Sequence, residues 1–223
     1  MIIKTASGQE FNLDFEPILR LAADPANYTE FIVNQINSGY YCLQECGTVI
    51  DAGANVGFFS IYASTVADKV YAIEPTPQHY DNLCAIIKHL GITNIIPVRV
   101  ALWKEDGSVQ FDLFGGGNTT MNTISPYGQI TVEACTVETL FNKLQIDRAD
   151  FFKCDIEGAE HFVDFTPVAD KIEHLFIEVH NDYPTPGLSI NNVEPRLKKL
   201  WKHAVRLTDD SIFCTNYNYF TEP

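Results

Sequence analysis

The stretch Val49-Ile50-Asp51-Ala52-Gly53-Ala54-Asn55-Val56-Gly57 decides how this chain is built. An apolar pair runs into an acidic residue, then into small residues. Phe58 to Val66 follows as an apolar segment that reads as a helix. A buried strand, a tight turn and a helix in succession open a parallel crossover unit. Small residues in such a turn let backbone approach a ligand, and N–H groups at a helix start can meet a carboxylate. Glycines stand at 53 and 57 with Asn55 between them, which is not the GxGxxG spacing of dinucleotide loops. Taken alone, the loop reads equally as a tight turn that leaves Asp51 solvated.

Outward from this loop the same texture repeats. Val70 to Ile73 is a second buried strand and ends at Glu74, 74 − 51 = 23 positions beyond Asp51. At that distance a carboxylate on the neighbouring strand can accept hydrogen bonds from both hydroxyls of a ribose. Thr76 caps the next helix, Pro77 takes its first position and Gly91 follows its end. Tyr80, Leu83, Ile87 and Leu90 recur at helical spacing and are expected to form its buried face. Ile95 to Leu102 reads as one strand with Pro97 near its start. Val109 to Leu113 and Ile130 to Cys135 are two further strands flanking a Gly/Asn/Thr-rich loop, Gly115 to Thr120. That loop is either a lid over a ligand or an ordinary hairpin connection.

A helix over Val137 to Leu144 precedes buried strands at Asp150 to Asp155 and Leu175 to Val179. Asn191 to Trp201 is helical, and Ala204 to Leu207 with Ile212 to Thr215 makes a hairpin through Asp209-Asp210. Towards the N-terminus, Ile2 to Leu13 reads as a hairpin around Ser7-Gly8, followed by a helix from Asp24-Pro25 towards Ser38-Gly39. The expectation is an α/β fold: a mostly parallel sheet with helices on both faces and one antiparallel edge from the C-terminal hairpin. Residues 48–223 would form that domain, and residues 1–47 an N-terminal extension. In open sheets of this kind ligands lie outside the carboxyl ends of the strands. Asp51, Glu74, Asp155 and His180 all fall at such ends.

Composition narrows the partners. The 223 residues carry 15 Lys and Arg against 29 Asp and Glu, a net charge of −14, and no basic run offers a phosphate-binding face. DNA, RNA and anionic membranes are therefore disfavoured, and small or uncharged ligands favoured. The first ten residues lack the apolar core of a signal peptide, and the uncharged run Ala52 to Ala67 is short for a membrane span. A cytoplasmic, unanchored protein is expected. Of the six cysteines, only Cys42 and Cys46 are close, so no zinc knuckle forms and reduced thiols are expected.

Three segments in order, DAGANVGFFS from Asp51, AIEP from Ala72 and KCDIEGAE from Lys153, resemble the motif series of FkbM-type S-adenosylmethionine-dependent methyltransferases. The resemblance runs from about Val49 to His180. It implies a class I methyltransferase fold with a seven-stranded sheet and S-adenosyl-L-methionine as cofactor. On that likeness Asp51, Gly53, Ala54, Asn55 and Gly57 would cradle the methionine moiety, Glu74 with Pro75 would hold the ribose, and Ala101 would lie near the adenine. Asp155 would border the same site. The implied acceptor is a hydroxyl on a sugar, glycan, polyketide or similar metabolite.

A hydroxyl is a poor nucleophile until its proton begins to leave. His180 or Asp155 is the candidate base, with Glu157 and Glu178 orienting it; Glu178 and His180, two apart on a strand, share a side. Glu160 reads instead as an acid compensating a helix start. A metal-assisted variant through Asp155, Glu178, His180 and Asp182 is the less favoured arrangement, and no metal is assigned. Tyr127, Tyr183 and Pro184 are candidate acceptor-lining residues. The alternatives are a binding module that retains S-adenosylmethionine without chemistry, and a nucleic-acid methyltransferase. Against the latter, Asp155-Ile156-Glu157-Gly158 stands where N-methylating enzymes carry an Asn/Asp-Pro-Pro-aromatic segment.

Overall fold

The computed structural model describes residues 2–4, 10–12, 43, 45–113, 122–182 and 186–217. The expected helix from Asp24, the lid or hairpin loop at Gly115 to Thr120, and Tyr183 and Pro184 lie outside the described residues. Strands β1 (Ile2–Lys4) and β2 (Glu10–Asn12) pair antiparallel, as the reading of residues 2 to 13 expects.

Seven strands make the main sheet: β3 (Cys46–Ala52), β4 (Ala67–Ile73), β5 (Ile95–Val98), β10 (Ala149–Cys154), β11 (Ile172–Glu178), β12 (His203–Arg206) and β13 (Ser211–Thr215). Their spatial order is β12-β13-β11-β10-β3-β4-β5. All neighbours from β11 to β5 are parallel, while β13 runs antiparallel to both β11 and β12. The antiparallel strand is thus one place in from the edge rather than at it. This is the Rossmann-like class I methyltransferase fold that the motifs imply. The chain winds from β3 out to β5 and then returns to place β10 on the other side of β3. The strand order reverses between β3 and β10, the position at which α/β sheets bind ligands.

Sheet periodicity explains why these strands are apolar almost throughout. Successive side chains point to opposite faces, and here both faces are covered. Val49, Val70, Phe151 and Phe176 pack on one side with Leu83 and Ile87; Ile50, Phe152 and Leu175 pack on the other with Phe141 and Trp201. The first face belongs to helices α1 (Phe58–Ala63) and α2 (Pro77–Leu90), the second to α3 (Val137–Leu144) and α4 (Ile190–Leu197).

α2 starts and stops where Thr76, Pro77 and Gly91 place its ends, with Gly91 at φ 65°, but the Thr76 hydroxyl makes no cap hydrogen bond to the helix. Its buried residues are His79, Leu83, Ile86 and Ile87, with Leu90 partly buried against the same cluster and Tyr80 only half-buried. α1 is shorter than Phe58 to Val66. The hydroxyls of Ser64 and Thr65 donate back to the carbonyls of Ile61 and Tyr62 and close the helix.

The segment Ile95 to Leu102 is two strands, not one. β5 is an edge strand carrying Pro97 in its interior, which is tolerated because no further strand needs its N–H. After Arg99 and Val100 the chain leaves the main sheet. β6 (Ala101–Leu102) joins β7 (Gly107–Asp112), β8 (Thr123–Ile124) and β9 (Ile130–Cys135) in a separate four-stranded sheet, order β6-β9-β7-β8. Among the described residues no helix is long and apolar enough to cross a membrane. Cys46, Cys84, Cys135, Cys154 and Cys214 are free thiols.

Candidate active site

Register puts the acidic strand ends in one row. Ile73, Ala52, Cys154 and Ile177 are aligned across β4, β3, β10 and β11. The next residue in each chain is therefore Glu74, Gly53, Asp155 and Glu178, side by side at the carboxyl edge.

The loop after β3 is more fully engaged than a cradle of free amides. The N–H groups of Gly53 and Ala54 both donate to the Ile73 carbonyl, at 3.0 and 2.9 Å, and Gly57 N–H donates to Ala54 at 2.8 Å. Asn55 N–H donates to Oε2 of Glu74 at 2.9 Å. Free N–H groups for a carboxylate are thus not what these four positions offer. Gly53 has φ 81°, and a Cβ there would stand 1.7 Å from the Asp155 carbonyl oxygen. Its smallness serves chain-to-chain contact at the switch point. Asn55 sits at φ 50°, a left-handed conformation that Asn tolerates better than most residues.

Glu74 is buried, 5% exposed, and each carboxylate oxygen takes a backbone donor: Asn55 N–H on Oε2 and Thr76 N–H, 2.8 Å, on Oε1. Its own N–H donates to Val98 at 3.0 Å. Burial pushes its carboxyl up, against His79 and the two backbone donors. A carboxylate has about four acceptor positions, so two remain for a ligand diol. Pro75, half-buried, turns the chain from Glu74 into α2. Ala101 is not in this row: it is buried in the second sheet, aligned with Ala134 and packed with Phe111 and Val132.

Asp51 is wholly buried rather than solvated. Ser60 donates to its Oδ2 at 2.6 Å, and Lys153 Nζ lies 3.4 Å from Oδ1. Burial pushes its carboxyl up while Lys153 and Ser60 pull it down. The same ammonium stands 3.2 Å from Oδ2 of Asp155.

On the far side of Asp155 the turn Asp155–Gly158 carries Glu157 at φ 54° and Gly158 at φ 96°. Thr123 of β8 donates its hydroxyl to the Glu157 carbonyl, tying the second sheet to the turn. His180 follows β11, and both its ring nitrogens face carboxylates: Nε2 is 3.2 Å from Glu157 and Nδ1 is 3.2 Å from Glu160. Burial opposes charge on this ring, but the bond to Glu160 and the fields of Glu160, Glu157 and Asp155 raise its pKa to about 10. Burial also raises Glu157, to about 8, and burial with the Asp155 charge raises Glu178, to about 7.

The candidate catalytic residues thus converge. Asp155, Glu178 and His180 each bring one atom within 4.8 Å of the others. Nδ1 is held by Glu160 and Nε2 faces Glu157 at 3.2 Å, and no metal is assigned to these residues. Asp182, at φ 57°, spends Oδ1 on the Gly187 N–H. Tyr127 is 88% exposed on the turn before β9.

Two participants escaped the sequence reading. Lys153 had a signal, a lone cation in the apolar run Phe151 to Cys154, which only a buried anion could balance. Glu160 closes the KCDIEGAE segment but reads there as helix-start compensation, because its link to His180 spans twenty residues of chain.

The methyltransferase FkbM domain model matches residues 51–195. The hexuronic acid methyltransferase AglP of Haloferax volcanii is 25% identical over 139 residues, which cover 61% of this chain and 57% of that protein. This chain therefore spans little more than half the length of the curated relative it matches. Among solved structures, methyltransferase FkbM of Methylobacillus flagellatus KT superposes with a TM-score of 0.47 at 15% identity, covering 74% of this chain and 47% of that one. A SAM-dependent methyltransferase of Aquifex aeolicus superposes with a TM-score of 0.49 at 15% identity, covering 90% of this chain and 98% of that one.

Proposed function

This chain belongs to the FkbM methyltransferase family, and from that premise we propose that it methylates a hydroxyl of a sugar, glycan, polyketide or similar small metabolite, with S-adenosyl-L-methionine as donor. The observation that carries the reading is Glu74: a buried carboxylate at the end of β4, pinned by two backbone N–H groups, with acceptor positions left for the two ribose hydroxyls. The donor set suits the cofactor. A sulfonium is a cation, and the neighbouring row of Asp155 and Glu178 is acidic. Residues 48–223 are the catalytic domain on this reading, and residues 1–47 an extension to it.

S-adenosylmethionine, when bound, supplies an electrophilic methyl group. The chain's own residues supply alignment, since in-line displacement gains most from holding the reacting atoms in register. Glu74 binds the ribose, and the Asp51 to Gly57 turn holds Glu74 through Asn55. The acceptor hydroxyl must lose its proton to a nearby base. His180 lies between two carboxylates, and only the doubly protonated ring can donate to both. With its pKa raised to about 10 the ring is mostly charged at neutral pH, so the acceptor's proton passes instead to a carboxylate. Glu178 takes this role on our reading, because a group titrating near 7 is both ionised and basic enough at neutral pH. Asp155, held by Lys153, borders the same point.

Calorimetry with S-adenosylmethionine and S-adenosylhomocysteine, followed by transfer of labelled methyl to pooled glycans and metabolites, tests the proposal. Binding and labelling of a hydroxyl are expected. Absence of binding at millimolar cofactor defeats it.

A further inference from the structure

The ladder between β10 and β11 ends at Cys154 and Ile177. Beyond it Asp155 still bonds to Ala52 of β3, and Glu178 still pairs with Ser211 of β13, but the β10–β11 ladder no longer sets the spacing of Asp155 and Glu157 from Glu178 and His180. The short 3₁₀ turn Ala159–His161 takes over that task. The Glu160 side chain is 0% exposed. Its Oε1 accepts the Ile156 N–H at 2.8 Å and faces His180 Nδ1 at 3.2 Å, and its Oε2 accepts the Gly158 N–H at 2.8 Å. His161 adds a second tie, Nε2–H donating to the His180 carbonyl at 2.8 Å.

We propose that Glu160 is a positioning residue for methyl transfer: it clamps the Asp155–Gly158 turn to the His180 ring and so sets the spacing of Asp155, Glu157 and Glu178 around the acceptor. This goes beyond an acid compensating a helix start, because one carboxylate joins the segments that follow β10 and β11 where their shared ladder has ended. The clamp requires a proton on Nδ1, which the imidazolium and the Nδ1–H tautomer both supply, and the surrounding carboxylates favour the imidazolium. Glu160 and Glu157 occupy both nitrogens, Asp155 and Glu178 add negative charge from β10 and β11, and the nearby Lys153 ammonium is matched by Asp51 and Asp155. With His180 held as imidazolium, the turn's left-handed residues Glu157 and Gly158 are fixed from both ends.

The inference rests on the methyl-transfer reading for its consequence but not for its geometry, and two readouts separate them. The first needs no acceptor: ¹⁵N-histidine NMR of the full chain at pH 8, with the His180→Gln spectrum identifying the resonance. Wild type should show His180 protonated on Nδ1, and Glu160→Gln should no longer hold that proton on Nδ1. The second is labelled-methyl transfer. Glu160→Gln should lose about tenfold to a hundredfold, the penalty for a displacement of about 1 Å, with cofactor affinity within about threefold of wild type. A wild-type His180 ring with no proton on Nδ1, or transfer by Glu160→Gln within about twofold of wild type, overturns the proposal. Should Glu160→Gln not fold, His180→Gln leaves both backbone bonds of Glu160 intact and decides instead. Its transfer should fall by the same factor, and unchanged transfer rejects the clamp. Cofactor binding by wild type, measured separately, reports on the methyl-transfer reading alone.

Discussion

The ammonium of Lys153, its side chain 6% exposed, stands 3.2 Å from Oδ2 of Asp155 and bridges from there to the fully buried Asp51 on the neighbouring strand. A buried ion pair adds little over apolar packing, yet removing one partner strands the other in a medium that solvates it poorly. Lys153→Met should therefore lower unfolding free energy by about 3–5 kcal/mol, read from the urea midpoint at pH 7. A loss below about 1 kcal/mol would mean that Asp51 is already neutral in the native protein, as its upward shift allows.

Glu74 supplies the sharpest binding test. Gln keeps the shape and one acceptor oxygen but removes the charge from its remaining hydrogen bonds. A charged bond contributes about 1.5–3 kcal/mol, so Glu74→Gln should weaken S-adenosylmethionine by about tenfold or more in calorimetry. An unchanged dissociation constant would take Glu74 out of the cofactor site.

The proposed base predicts the acid limb of the rate profile. Glu178 is raised to about 7, and a base works only when unprotonated, so kcat/KM should climb with pH and level off above about 8. Glu178→Gln should lower the plateau by about 10²–10⁴-fold and abolish that limb. A limb that persists in the variant assigns the proton to another group, Asp155 first.

His180 predicts a different pH dependence, in stability. Its folded pKa is about 10 against an ordinary value of 6.5. The raised value means the native state binds the proton more tightly than the unfolded chain. That contribution is complete below about 6.5 and is lost as the pH rises through about 10. The stability gap between wild type and His180→Gln should then narrow steadily between pH 6 and pH 10.5 in denaturant titrations. A gap that stays constant would show an uncharged ring.

Two glycines with positive φ separate backbone strain from steric contact. Gly91 has φ 65°, and among the described residues beyond its chain neighbours no atom lies within 4 Å of where a Cβ would stand. Gly53 has φ 81° and the Asp155 carbonyl oxygen 1.7 Å from that position. Gly91→Ala should cost only the left-handed penalty, about 1–2 kcal/mol. Gly53→Ala should cost clearly more, because β3 and β10 must part at the switch point. Equal thermal shifts in the two variants would deny that close approach.

Local chemistry carried much of the fold. The capped helix over Pro77–Leu90, the acid-terminated strands and the C-terminal hairpin follow from short-range rules in which each signal lies within a few residues of its effect. The strand at Ile95 to Leu102 did not, because one apolar run serves two sheets. Only the edge position of β5 frees the chain to leave at Arg99.

Within the site the division is the same. The acidic residues Asp51, Glu74, Asp155 and Glu178 at strand ends, the family motifs and hence the cofactor expectation are legible in the order of residues alone. What those carboxylates do is not. Asp51 is buried against Lys153 and Ser60, the loop amides are engaged, and His180 stands between Glu157 and Glu160. Protonation depends on burial and on which charges stand within a few ångströms. That proximity is created when strands distant in sequence align, so it exists only in the folded chain.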